Sequence, residues 1–136
     1  MHAKAENIAM GRGFCEQFDL ETEIAALESR KPWQQGMTSK TLLKTDDLRI
    51  VLVVMQAGAR MAEHHSDGRI SVQVLRGAIR TRMQDHLVDL TPGQLLALDR
   101  SIKHEVEARE DSAFLLTIAW PTDAELIGLK HRGYGS

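Results

Sequence analysis

The feature that most constrains this chain is a long stretch of short, strand-like segments with no helix-length segment among them. Between residues 38 and 121, apolar or alternating runs are cut off by turn signals at intervals of about eight to twelve residues. Residues 48–55 (LRIVLVVM) are rich in β-branched side chains and mostly apolar, as a buried strand should be, and Gly58 closes them. Residues 69–75 form a second such run, closed by Gly77. Residues 78–83 alternate, with Ile79, Thr81 and Met83 on one face and Arg80 and Arg82 on the other. A short run at 87–90 ends at Thr91-Pro92-Gly93, a strong turn. Residues 94–98, 103–107 and 113–120 complete the series. Regular spacing of this kind predicts an all-β sandwich or barrel, and the missing helices argue against a parallel α/β sheet.

Two flanks enclose this region. Residues 1–37 carry one helix signal. Asp19 can cap free N–H groups, Glu21 and Glu23 suit the positive helix end, and Leu20, Ile24 and Leu27 form an apolar stripe. Pro32 and Gly36 end it, so a short helix packed on the barrel is expected. Residues 122–136 read as a polar tail, with a short helix at 123–129 and a flexible ending. A length of 136 residues gives one domain. Aromatics are only 4% against 43% hydrophobic residues, so the interior must be aliphatic.

Charge and composition narrow the partners. A net charge of −2 supplies no field to draw the chain to a phosphate backbone, so no nucleic-acid partner is expected. No apolar run is long enough to span a bilayer, and the start, MHAKAENIAMGRGF, lacks the features of a secretory signal. Cys15 is the only cysteine, which rules out an intrachain disulfide. It has no basic cluster beside it and reads as a buried or tolerated thiol. These features predict a cytoplasmic protein without a membrane partner.

Of six histidines, His2 and His131 lie near the ends, and His86 falls in an expected hairpin turn. All three read as solvated side chains. His64, His65 and His104 belong to strands with apolar neighbours. Around them the sequence resembles the cupins. The first motif of that family is a glycine, five residues, His-x-His, then an acidic residue before a closing glycine. Gly58, His64 and Gly77 match it. The second motif is a glycine, five residues, Pro-x-Gly, two residues and a histidine. Gly93 and His104 match, while Asp99 replaces the proline and Ser101 the glycine. The resemblance runs from about Thr41 to Trp120 and implies a double-sheet jelly-roll barrel with a short N-terminal helix.

The four positions that hold metal in many cupins correspond here to His64, Ser66, Ile70 and His104. Ile70 cannot coordinate an ion, and its presence makes the wall drier. His-x-His works because residues two apart on a strand point the same way. His64 and His65 are adjacent, so His65 joins His64 only if a β-bulge re-aims it. A one-residue shift would instead turn Glu63 and His65 inward together.

The resemblance therefore implies a central pocket marked by His64, His104, Ser66, Ile70 and Val72, with His64, His65 and His104 as candidate metal ligands. The cofactor is one divalent ion (Fe, Zn, Ni or Mn) or none. Catalytic sites usually take about three protein ligands and keep one position open. Two are secure here. The histidines are otherwise a hydrogen-bonding or packing pair, or a ligand-binding or acid–base pair near neutral pH. The expected function is a barrel that binds a small molecule in this pocket with no committed reaction. The alternative is a mononuclear metal-dependent enzyme of the dioxygenase or isomerase type. A regulatory sensor with its own helix-turn-helix has no room in this chain. Exposed sheet edges, and an N-terminal segment able to cover or exchange with one, lead to the expectation of a homodimer.

Overall fold

The computed structural model of the chain describes residues 6–10, 13–64 and 67–121. The expected tail helix at 123–129 lies outside these residues. The elements, in order, are β1 (Glu6–Met10), β2 (Gly13–Gln17), α1 (Leu20–Glu28), β3 (Met37–Lys44), β4 (Leu48–Met55) and β5 (Arg60–His64). They continue with β6 (Arg69–Arg76), β7 (Ile79–Met83), β8 (His86–Leu90), β9 (Leu95–Leu98), β10 (His104–Ala108) and β11 (Ser112–Ala119). The β1–β2 hairpin and β3 have no counterpart in the strand runs read from the sequence.

The strands build a jelly roll of two antiparallel sheets. One has four strands in the order β5-β10-β7-β8, and the other has five in the order β3-β4-β11-β6-β9. The β1–β2 hairpin is a separate two-stranded sheet. Apart from the β3–β4 and β7–β8 pairs, successive strands from β3 on cross between the two large sheets, and each sheet turns one row of alternate residues towards the other. Val53, Met55, Val72, Val74 and Phe114 from one sheet meet Ile79, Leu90, Val106 and Ala108 from the other in one apolar core. Ile79, Thr81 and Met83 are buried on β7, whereas Arg80 and Arg82 are not, as their alternation predicts.

The near-continuous apolar run of β4 has a specific reason. Val53 and Met55 face the barrel interior, while Leu52 and Val54 face outward and are still buried. α1 covers them. Ile24 and Leu27 pack on Leu52, Val54 and Ala113 together with Trp33. The helix starts where Asp19 accepts the Thr22 N–H at 3.2 Å. At its end Trp33 Nε1 donates to the Leu27 carbonyl at 2.9 Å, satisfying one of the acceptors that a helix end leaves open. Two ion pairs flank the docked helix, Lys40–Glu23 at 2.7 Å and Arg76–Glu21.

The outer face of the four-stranded sheet is charged. Glu107 sits opposite Arg60 on β5 and Arg80 on β7, and Arg80 sits opposite Asp89 on β8. Arg60 pairs with Glu107 and Arg80 with Asp89, each at 2.7 Å, and Arg82 reaches Glu105 at 3.2 Å. Glu105 and Glu107 are half-buried residues within β10. Arg69, Arg76, Arg80 and Arg82 therefore all pair with carboxylates, Arg69 with Asp99 at 3.1 Å.

One turn depends on glycine. Gly77 has φ +79°, and a Cβ there would collide with the Asp111 carbonyl and the Ser112 side chain. Ser112 Oγ in turn accepts the Ala78 N–H at 3.0 Å, tying the β6–β7 turn to the start of β11.

Two predictions follow from this packing. Ile24→Ala empties the helix–sheet contact and should cost about 2–5 kcal/mol in urea denaturation. A cost below about 1 kcal/mol would mean that α1 does not pack as described. The second concerns acid. The Arg80 hydrogen bond holds the Asp89 carboxyl below its ordinary value of 3.8, so folding disfavours its protonation. The benefit is present above that value and lost as pH falls through the lower folded value. The gap in urea midpoint between the wild type and Arg80→Ala should therefore be full at neutral pH and close in strong acid. A gap that widens in acid would contradict the pairing.

Candidate functional site

One end of the barrel opens into a cavity of about 530 Å³. Its apolar lining comes from Met83 on β7, Leu98 on β9 and Ile102 in the β9–β10 connection. Its polar lining comes from Glu63, Gln84, His86, Ser101 and Lys103. A mostly apolar hollow with a few polar groups is the usual form of a small-molecule site.

His104 stands at the start of β10 beside this mouth and is 1% exposed. Its Nδ1 lies 3.1 Å from the Ile102 carbonyl oxygen. A carbonyl only accepts, so Nδ1 carries the proton and donates, and the lone pair of the neutral ring belongs to Nε2. The backbone thus fixes both ring orientation and tautomer. In register, His104 pairs with His64 on β5. That ladder slips by one residue, because His104 and Val106 pair with His64 and Met61. Two residues on β10 therefore span three on β5, and a β-bulge falls at Ala62 and Glu63, both exposed. The bulge precedes His64 and turns Glu63 to the cavity lining. His65 and Ser66 lie outside the described residues, and His64 is placed only by its strand pairing.

Ile70 and Val72 are buried, 5% and 1% exposed, and pack within the apolar core. Ile70 sits opposite Leu98, so the wall below the mouth at this point is hydrocarbon. The interior also holds a polar atom that the histidine motifs do not point to. Thr81 is fully buried, and its Oγ1 has no hydrogen-bond partner. It lies two positions from Met83 on the inward face of β7, directly below the mouth. The available signal was a hydroxyl on an otherwise apolar inward face.

Two of the three non-glycine residues with positive φ among the described residues lie on this lining, while Gln35 lies elsewhere. Gln84 has φ 46° and Ser101 φ 62°, both left-handed and both on the cavity lining. Residues with a Cβ avoid this region at a cost of about 1–2 kcal/mol. Ser101 stands where the resemblance expects glycine, so the conformation has been kept without the residue that makes it easy. Strained residues collect at functional sites. His86, expected inside a turn, is the first residue of β8 and lines the mouth. The turn itself is Gln84–Asp85, because Met83 pairs with His86. Nothing in the residue types announced Gln84 or Lys103 as lining residues.

The donor set for a metal is uneven. His104 has the form of a ligand, with the backbone carbonyl orienting its ring. Ile70, in place of a carboxylate, offers nothing. Among the described residues, no three His, Cys, Asp or Glu side chains converge in a way that would hold an ion.

No protein-family model matches the sequence, and no curated protein does. Solved structures match the fold. A cupin superfamily protein from Desulfitobacterium hafniense is 19% identical over 86% of this chain and 98% of its own, with a TM-score of 0.64. The cupin-2 domain of an XRE family transcriptional regulator from Enterobacter cloacae is 20% identical over 65% of this chain and 100% of its own (TM-score 0.58). An oxalate decarboxylase from Bacillus subtilis is 17% identical over 64% of this chain and 26% of its own (TM-score 0.59). The chain has the cupin fold. Both an enzyme and a domain of a regulator share it, and fold alone assigns no activity.

Thr81 gives a sharp test of this site. A buried hydroxyl without a partner is a net burden, so Thr81→Val should hold or raise the urea midpoint of the ligand-free protein. A loss above about 1 kcal/mol would show that Oγ1 has a partner after all.

Proposed function

We propose that this chain is a small-molecule-binding barrel. Its ligand enters between Gln84 and Ser101, meets the polar groups of the cavity lining, and reaches inward along β7 to Thr81. No reaction is assigned. The observation that carries this reading is the unpartnered Thr81 hydroxyl, sealed in an apolar interior one step below a cavity of about 530 Å³. Leaving such a group unsatisfied costs about 1–3 kcal/mol. A bound polar group would offset that cost. His104 stands beside the same mouth, with its Nδ1 held by the Ile102 carbonyl.

A second reading rests on that same His104 geometry. An imidazole that donates one N–H to a backbone carbonyl presents its other nitrogen as a metal ligand does. In this reading a divalent ion (Fe, Zn, Ni or Mn) is held by His104 with His64 and either His65 or Glu63. It would supply Lewis-acid polarisation of a bound oxygen atom. The chain's residues would then orient the ligand from the apolar wall at Leu98 and Ile70. That wall weighs against the reading, because it offers hydrocarbon in place of a carboxylate able to balance the ion's charge.

Metal analysis separates the two. The protein is purified, incubated in turn with iron, zinc, nickel and manganese, desalted and assayed by mass spectrometry. The binding reading predicts substoichiometric metal that His104→Ala does not change. It also predicts that some members of a panel of small polar organic molecules shift cavity-lining NMR signals saturably, and that Thr81→Val weakens that shift. Stoichiometric metal that disappears in His104→Ala would overturn this reading in favour of the enzyme.

A further inference from the structure

We propose that Arg49 is an anion-binding residue of this barrel and that the ligand it receives is a small organic carboxylate. This rests on the small-molecule reading above and names the class of ligand. β4 turns Val51, Val53 and Met55 towards the interior, and Arg49, two positions before Val51, belongs to the same row. Arg49 is opposed in register by Ile118 on β11, Ile118 by Ile70 on β6, and Ile70 by Leu98 on β9. Directly opposed residues share a face, so these four side chains form one inward row across four strands. Leu98, at the far end of the row, lines the cavity. Arg49 therefore stands at the cavity's end of the barrel, three strand spacings or about 14 Å from Leu98.

The surroundings of Arg49 call for an anion. Its Nε is buried and has no hydrogen-bond partner, which is costly for a charged group. Its guanidinium carbon lies 5.4 Å from the centre of the Trp120 ring, a contact that holds the cation without using its N–H donors. Trp120 is itself tied to the β3–β4 turn, where its backbone N–H donates to the Asp47 carbonyl at 2.8 Å. Lys44 on β3 sits directly opposite Arg49, and like charges so placed destabilise a sheet. Among the described residues neither cation pairs with a carboxylate. Asp47, in the adjoining turn, instead accepts the Thr45 hydroxyl at 2.9 Å. Arg60, Arg69, Arg76, Arg80 and Arg82 each have a carboxylate partner. A carboxylate in the fork of Arg49 would supply the missing acceptor and offset the repulsion from Lys44. From Ile118 to Leu98 the row is hydrocarbon, which suits a ligand with an apolar body rather than inorganic phosphate.

The test is an NMR titration of the full chain with acetate, hexanoate and benzoate, each beside its neutral amide, and with inorganic phosphate. At least one carboxylate should shift the Arg49 Nε–H and Trp120 indole signals saturably and bind about tenfold or more tighter than its amide and than phosphate. Arg49→Met should remove that preference and leave amide binding unchanged. Lys44→Gln, on an exposed side chain, should weaken the carboxylate by about threefold and gives a second readout if Arg49→Met does not fold. The ligand-free Arg49→Met protein should hold or raise its urea midpoint, because the repulsion from Lys44 is gone. A lower midpoint would mean that Arg49 already has an acceptor in the chain, and would overturn the proposal. So would amides or phosphate that bind as well as the carboxylates, or a preference that survives Arg49→Met. If no carboxylate shifts these signals while neutral molecules still bind the cavity, this inference falls and the small-molecule reading stands. If neither binds, both fall.

Discussion

Two sheets closing over one interior make side-chain alternation the rule on which everything else rests. Each strand must send every second residue inward, and those residues must fill the gap at close packing. β7 obeys with Ile79, Thr81 and Met83, and β6 with Ile70, Val72 and Val74. The outward rows are then free for other uses. On the four-stranded sheet they carry paired charges. On β4 they are apolar, and α1 exists in its present place because Leu52 and Val54 need cover. The helix is therefore a consequence of the sheet, held by its apolar stripe and trimmed by Asp19 at one end and Trp33 at the other.

The same rule explains why polar atoms inside the barrel carry so much weight. An inward position has no water to fall back on, so a hydroxyl or imidazole placed there must find a partner or remain a cost. His104 meets this demand partly through the Ile102 carbonyl, which also sets its tautomer. Thr81 does not meet it within the chain. Both lie at the end of the barrel where Gln84 and Ser101 hold left-handed backbone without glycine. The Thr81 hydroxyl, His104 and two of the three left-handed residues that are not glycine lie towards one end of the barrel.

Much of the barrel was legible because its signals are local. The β4 run, the β7 alternation, the Thr91-Pro92-Gly93 turn and the Asp19 cap each declare themselves within a few residues. β3 was harder, because MTSKTLLK lies at an edge with a bulge and mixes lysines into its pattern. The β1–β2 hairpin carries no alternating apolar pattern in ENIAM or GFCEQ, so it did not stand out. His104 was legible as an inward residue, and it is buried at the start of β10. The site was not legible at Gln84, His86 or Lys103, because they meet only when the β7–β8 turn and the β9–β10 connection fold to the same end. A bulge was named as the condition for His65 to join His64; β5 carries one at Ala62 and Glu63, and His65 lies outside the described residues.

The account depends most on the claim that the backbone presets His104, so that Nε2 is its accepting nitrogen. Long-range ¹H–¹⁵N correlation of the imidazoles reads this directly. The ligand-free protein would be held at about pH 8.5, above the ordinary imidazole value of about 6.5, where the neutral ring dominates. The account predicts the Nδ1–H tautomer for His104, with Nε2 showing the shift of an unprotonated nitrogen. An Nε2–H tautomer would contradict it, because the Ile102 carbonyl would then no longer set the ring.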